Sequence, residues 1–152
     1  MPNRLYSANG ICAAGAGSKT AVSVTATSTI RPGVYDVAWG MTTAPNSTDF
    51  QIKVGLSRYT ADGTGTAFTA NLNDTVDLAS GATTKTAHSA EPTYTANQDM
   101  LSYPLNQRAP WRWVAQDGKE IWAPATAANG LGSQLITSAN SIQVGSTVLW
   151  ME

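Results

Sequence analysis

Leu105–Pro124, LNQRAPWRWVAQDGKEIWAP, holds three of the chain's five tryptophans and decides how the rest is read. Trp111 and Trp113 are two residues apart, so on a strand they project to one face, with Arg112 and Val114 on the other. Gln116-Asp117-Gly118-Lys119 carries the Asp-Gly pair that tight turns favour. Glu120–Ala123 reads as the return strand. The segment therefore predicts a β-hairpin, rich in buried or gripping area and without catalytic chemistry.

Outward from that hairpin, apolar residues alternate with polar ones. Val22, Val24 and Ala26 alternate with Thr over residues 20–29. Tyr35, Val37, Trp39 and Met41 share a face over 34–41. Phe50, Ile52, Val54 and Leu56 share one over 49–59, and Ile142, Val144, Val148 and Trp150 share one over 141–151. Short strands are predicted at 67–72, 92–95, 100–105 and 134–137, with Pro104 marking an edge or a bulge. One helical turn fits 73–80, and 81–90 reads as polar loop. No amphipathic helix of ten residues fits, and no long period repeats. About eight to ten short strands at sandwich spacing predict an all-β fold, an antiparallel β-sandwich of jelly-roll type. Residues 1–19 are Ala/Gly/Ser-rich and read as an extended N-terminal arm. Residues 20–152 read as one sandwich domain.

The chain has 152 residues, 12% of them charged and 42% hydrophobic, with a net charge of −1. That charged share is about half the usual ~25%, which suits a surface covered in an assembly. Acids and bases are scattered, so the cationic footprint of a nucleic-acid binder is missing. No run approaches the roughly 20 apolar residues of a membrane span. The first residues lack the apolar core of a secretory signal, so synthesis in a cytoplasm is expected. Cys12 is the single cysteine and reads as a small semi-buried side chain.

Catalytic constellations are thin. His88, the single histidine, lies in what reads as an exposed polar loop, with no nucleophile motif beside it. The acidic pairs Asp74/Asp77 and Asp117/Glu120 read as cap and turn residues rather than a glycosidase pair. Asn71–Asp77 only hints at a calcium loop. Ala61–Thr66 is Gly-rich but lacks the lysine of a phosphate loop. No catalytic residue, cofactor or metal ligand is therefore assigned. Two readings of the aromatics stay open. They form core and interface packing, or Trp39, Trp111, Trp113, Trp122 and Trp150 with Tyr35, Tyr94 and Tyr103 build a sugar-stacking platform. Arg108 and Arg112 flank the Trp pair and could stack on it or pair across subunits.

The run Leu105–Ala115, LNQRAPWRWVA, resembles a signature of virion structural proteins of tailed bacteriophages. Pro32–Val37 (PGVYDV), Ala61–Ala67 (ADGTGTA), Glu91–Thr95 (EPTYT), Asn129-Gly130 and the terminal Leu149–Glu152 follow in the family's order. The resemblance covers most of the chain from about Thr20 onward. It implies a small β-sandwich on the virion surface, a capsid decoration (cement) protein that acts as a trimer on the major capsid protein and is not an enzyme. The partner contacts expected from residue type are Arg4, Leu5 and Tyr6 in the arm and Trp111, Arg112 and Trp113 in the hairpin. The alternative function is a tail- or fibre-associated carbohydrate-binding sandwich.

Overall fold

The last strand shows how the layers pack. Val144, Ser146, Val148 and Trp150 are buried while Gly145, Thr147, Leu149 and Met151 are not, so one face of that strand meets a second layer. The computed structural model describes residues 4–138 and 140–152. Its strands are β1 (Leu5–Ile11), β2 (Lys19–Thr25), β3 (Gly33–Met41), β4 (Gln51–Ala61), β5 (Thr64–Phe68) and β6 (Asn71–Leu72), then β7 (Thr83–Ala90), β8 (Thr93–Asn106), β9 (Trp111–Val114), β10 (Ile121–Trp122), β11 (Gly130–Thr137) and β12 (Val144–Met151). They form two antiparallel sheets, the all-β sandwich that the alternation predicts. The first sheet runs β10–β3–β12–β1–β6, with β9 also on β3, and the second runs β5–β7–β2–β11–β4–β8.

Between the sheets lies an apolar core that includes Val37, Trp39, Val54, Leu56, Leu131, Leu135, Val148 and Trp150. Two serines that the alternation turns inward, Ser133 and Ser146, hydrogen-bond to each other across it. Neither hydroxyl is left unsatisfied, as burial requires.

Residues 4–19 do not form the expected arm, and residues 1–3 lie outside the described residues. β1 is an inner strand, paired with β12 from Leu5↔Met151 to Ile11↔Gly145 and with β6 on its other side. Its small residues serve packing rather than flexibility. A Cβ on Gly10 would stand 2.5 Å from the Ala21 carbonyl oxygen, because the two sheets approach each other there. Residues 12–19 are pinned as well, with Cys12 N–H donating to the Val144 carbonyl and Gly17 N–H to that of Ser138.

The hairpin is also corrected. Its turn is present: Lys119 N–H donates to the Gln116 carbonyl, and Gly118 takes a positive φ of 75°. Yet β9 and β10 do not pair with each other. Both lie along β3, with Val37↔Trp113 and Ile121↔Val34 in register. Ala115 N–H bonds the Tyr35 carbonyl, and Ile121 sits opposite Val34. Six steps on this strand thus answer one step on β3, so residues 116–120 are looped out of a single interrupted strand. Turn chemistry is local; which strand the flanks join is set by the rest of the sheet.

Other expectations shift in the same way. The polar segment 81–90 holds strand β7, and residues 73–80 form a turn without helix. β8 is one 14-residue strand at the sheet edge. Gln107 N–H donates to the Phe50 carbonyl, and every second residue from there bonds β4, so Pro104 falls where an N–H would point away from β4. The missing donor costs no ladder bond.

The β4·β8 and β5·β7 ladders run into each other. Ala61↔Thr93 ends the first and Thr64↔Ala90 begins the second, in one continuous register. This two-stranded ribbon joins the two outer parts of the second sheet and bends over the outward face of β2 and β11.

Candidate interaction surface

The two outward faces of the sandwich differ because of that ribbon. On the second sheet, outward-pointing Ser23, Thr25, Ser57, Tyr59, Gln134 and His88 are all buried. Thr25 and Tyr59 share a hydroxyl hydrogen bond of 2.7 Å, and Thr20 and Tyr94 share another of 2.7 Å. Tyr94 lies over Gly132, where any Cβ would come within 2.1 Å of its hydroxyl. Burial pushes the Tyr59 and Tyr94 phenols well up from their ordinary value.

Asp62, at the bend of the ribbon, meets Lys85 Nζ at 2.9 Å and accepts a hydrogen bond from Ser23 Oγ at 3.1 Å. Burial opposes its charge, but the His88 and Lys85 N–H groups outweigh that and hold the carboxyl at about 2. His88 is therefore not the exposed loop residue that its neighbours suggest. Ser23 Oγ lies 3.2 Å from His88 Nε2, and Asp62 Oδ1 lies 3.7 Å from the same nitrogen. Nδ1 is buried and has no hydrogen-bond partner among the described residues. In a Ser-His-Asp relay the acid holds the nitrogen opposite the nucleophile. These three residues instead converge on one nitrogen beneath the ribbon, and they tie its bend to β2.

The first sheet's outward face has no such ribbon over it among the described residues; the Asn73 amide reaches across it from side to side, donating to the Tyr35 hydroxyl at 3.5 Å. Its rows, read across β1, β12, β3 and β9, are Leu5–Met151, then Ser7–Leu149–Asp36–Val114, then Asn9–Thr147–Ala38–Arg112, then Ile11–Gly145–Gly40. Leu5, Ile11 and Val114 are 37%, 42% and 55% exposed. The one charged pair is Asp36 with Arg112, whose Nε donates to both carboxylate oxygens at 3.0 and 3.2 Å while Nη2 donates to Oδ2. That ion pair raises the guanidinium further above its ordinary value. At the Ile11 end lies a shallow, open groove of about 630 Å³, lined by Gly40, Gly145, Ala38 and Thr147 together with Thr42 and Thr86.

The six expected contact residues separate. Leu5 and Arg112 stand on the open face. Arg4 is at its rim, with Nε 4.0 Å from Asp77. Trp111 points inward but lies at the open edge, 40% exposed, with its ring 4.9 Å from Tyr103. Tyr6 and Trp113 leave the set. Tyr6 is fully buried, stacked on Trp150 at 5.8 Å, and donates its hydroxyl to the Leu78 carbonyl at 3.0 Å. Trp113 is half-buried against the core. Ile11, Leu149 and Val114 are apolar residues of this face that reasoning by residue type passes over. Their signal is an apolar side chain on the supposedly polar face of a strand, as with Leu149 and Met151 beside Val148 and Trp150.

A sugar platform needs exposed, coplanar rings. Among the described residues Trp111 is the one aromatic in the exposed class, and its neighbour Tyr103 is tilted from it by 41°. Trp122 is covered by the Arg31 guanidinium at 5.8 Å. Arg108 pairs within the chain, its Nε 2.6 Å from Asp49, while buried Gln107 bonds Asn46, Thr48 and Asp49. Hydrogen bonds donated by Arg108 and Gln107 hold the Asp49 carboxyl below its ordinary range. Comparison with known proteins returned no matching family model, no curated relative and no matching solved structure.

Proposed function

We propose that this chain is a structural protein of a tailed-bacteriophage virion, a capsid decoration (cement) protein that binds the outside of the assembled head. The reading rests first on a contrast: one sandwich face is roofed by the chain's own ribbon, and the other is open, apolar and nearly neutral. A face of that kind suits a protein partner better than solvent. Beside it, β9 offers Trp111 and Arg112, residue types that dominate binding energy when an interface buries them.

The strand order lends support. With β5, β6 and β7 set aside, the sheets read β9/β10–β3–β12–β1 and β2–β11–β4–β8, and the chain crosses between them at every step except β4 to β8. That order supports a jelly-roll reading, an architecture used in viral capsids. The motifs that carry the phage resemblance also work together here. ADGTGTA and EPTYT face each other across the ribbon bend, and the aspartate of PGVYDV grips the second arginine of RAPWR.

In this reading the partner is the major capsid protein, reached after synthesis in the host cytoplasm, and neither nucleic acid nor membrane is engaged. Stabilisation follows from mass action: a ligand that binds only the assembled shell raises the shell's melting temperature. The test is co-sedimentation of purified protein with heads of the phage that encodes it. Saturable binding is expected, weakened by Trp111→Ala in protein whose far-ultraviolet dichroism shows that it is still folded. Protein that stays in the supernatant at every concentration overturns the proposal.

A further inference from the structure

We infer that the outer edge of β9 receives an extended strand of the capsid partner, which joins the first sheet through backbone hydrogen bonds. The inference rests on the capsid reading and deepens it, naming what the partner presents and how it is held.

The register decides which groups are free. Ala115 N–H bonds the Tyr35 carbonyl, so Trp113↔Val37 and Trp111↔Trp39 are the hydrogen-bonded pairs between β9 and β3. The other side of β3 agrees. Thr42 N–H bonds the Gln143 carbonyl, and the same alternation assigns the backbone groups of Asp36 and Ala38 to β12. Arg112 and Val114 therefore turn their N–H and C=O groups away from β3. Among the described residues no strand pairs with that side of β9. Two donors and two acceptors lie in the plane of the sheet, at the spacing that another extended chain matches.

The neighbouring edges on this side are blunted. Tyr103 of β8 meets Trp111 at 4.9 Å, so β8 is the edge of the second sheet beside β9. At position 104, where its N–H would face outward, β8 carries a proline with no donor to offer. In β10, Ala123 N–H bonds the Pro32 carbonyl, which turns the Trp122 carbonyl outward, and Arg58 Nη2 donates to that carbonyl at 3.1 Å. β9 has neither device. It also carries two of the exposed large apolar residues, Trp111 and Val114. β5, the far edge of the second sheet, carries none. A strand added there would gain hydrogen bonds without covering apolar area.

The same geometry states what the partner presents. Its segment is extended along the four residues of β9 and has no proline where it meets Arg112 and Val114. An apolar side chain on it covers the Trp111 ring, as cross-strand neighbours do. It needs no charge, because Arg112 is already paired with Asp36.

Binding at the sheet edge and binding on the sheet face ask different things of Val114. Proline keeps an apolar side chain of similar size, removes the outward N–H and spares the ladder with β3, as Pro104 does in β8. Alanine keeps the N–H and removes most of the side chain. In co-sedimentation with heads of the encoding phage, Val114→Pro should weaken binding about tenfold or more, and Val114→Ala by less than about threefold. Far-ultraviolet dichroism checks that each variant is folded. Hydrogen exchange on the unaltered protein needs no substitution and decides alone if the proline variant does not fold. The Arg112 and Val114 amides should exchange rapidly in the free chain and about tenfold or more slowly in the head-bound chain. The Trp113 amide, already bonded to Val37, serves as the protected reference. Heads that bind the chain without slowing those two amides, or that bind folded Val114→Pro as well as the parent, overturn the inference and leave the capsid reading standing. A chain that binds no heads overturns both.

Discussion

The two outward faces of this sandwich are built from the same alternating pattern and end in opposite states. On the second sheet, Ser23, Thr25, Ser57 and Gln134 point away from the apolar core, as polar residues on a solvent face should, yet they are buried. On the first sheet, Leu5, Ile11 and Leu149 point the same way and stay at least partly open. The cause is the ribbon made by β4–β5 and β7–β8. It turns one polar face into a second, hydrogen-bonded interior and leaves the other face uncovered. Period-two patterning reports which side of a strand faces the main core; it cannot report whether a distant segment returns to cover the other side.

Substitutions with opposite effects on the two faces sharpen that contrast. The largest effect is expected at Gly132. Its place under Tyr94 leaves no room, so Gly132→Leu should destabilise by about 3 kcal/mol or more in urea titration, in the upper range of overpacking. A cost below about 1 kcal/mol would mean that the ribbon lifts easily and that the roof is loose.

Next comes Asp62, which ties the roof to β2 and Lys85. Its carboxyl sits at about 2 in the folded chain against about 3.9 unfolded. A depressed folded value stabilises above the unfolded pKa and is lost as pH falls through the folded one. The contribution is therefore complete above about pH 5, declines progressively below that, and is gone near about pH 1. It amounts to about 2 kcal/mol by the same linkage. Asp62→Asn should remove it, and the variant's stability should depend less on pH between about 4 and 2 than the parent's. Parallel pH profiles for the two proteins would refute this role.

A smaller effect is expected from Tyr6→Phe, which keeps the stack on Trp150 and removes the hydrogen bond to Leu78. The loss should be about 1 kcal/mol, with head binding unaltered because Tyr6 is inside. Any selective loss of binding would return Tyr6 to the contact set. The smallest is Gly40→Ala on the open face. Space is free there and the backbone is not left-handed, so stability should hold or rise by up to about 0.5 kcal/mol in thermal melts. A clear destabilisation would show that the groove is already filled.

Much of the fold was readable because β3, β4 and β12 alternate strongly, with Val37 and Trp39, Val54 and Leu56, and Val148 and Trp150 turned to one side. β1 was not readable. Ala8 and Gly10 look like a flexible arm by composition, and their smallness makes sense only once β2 and β7 pass close behind them. β7 was missed for a related reason: its Lys and His side chains find their partners under the ribbon and its Thr84 and Thr86 hydroxyls bond backbone carbonyls, so no apolar face marks it as a strand. Among the residues expected to make contacts, Trp111 and Arg112 are exposed, and their type made them legible. Tyr6 and Trp113 misled, because an aromatic residue suits a core as well as an interface.

By itself the sequence determined the class of fold, the exclusion of Pro104 from a regular central ladder, and the turn at Asp117-Gly118, since each depends on local sterics and on the two-residue period of a strand. Only the tertiary structure decided that the tryptophan segment lies along β3 as one interrupted strand, that His88 and Asp62 are interior, and that one face of the sandwich is roofed while the other is open. Those outcomes depend on which distant segments meet, and no local pattern encodes that.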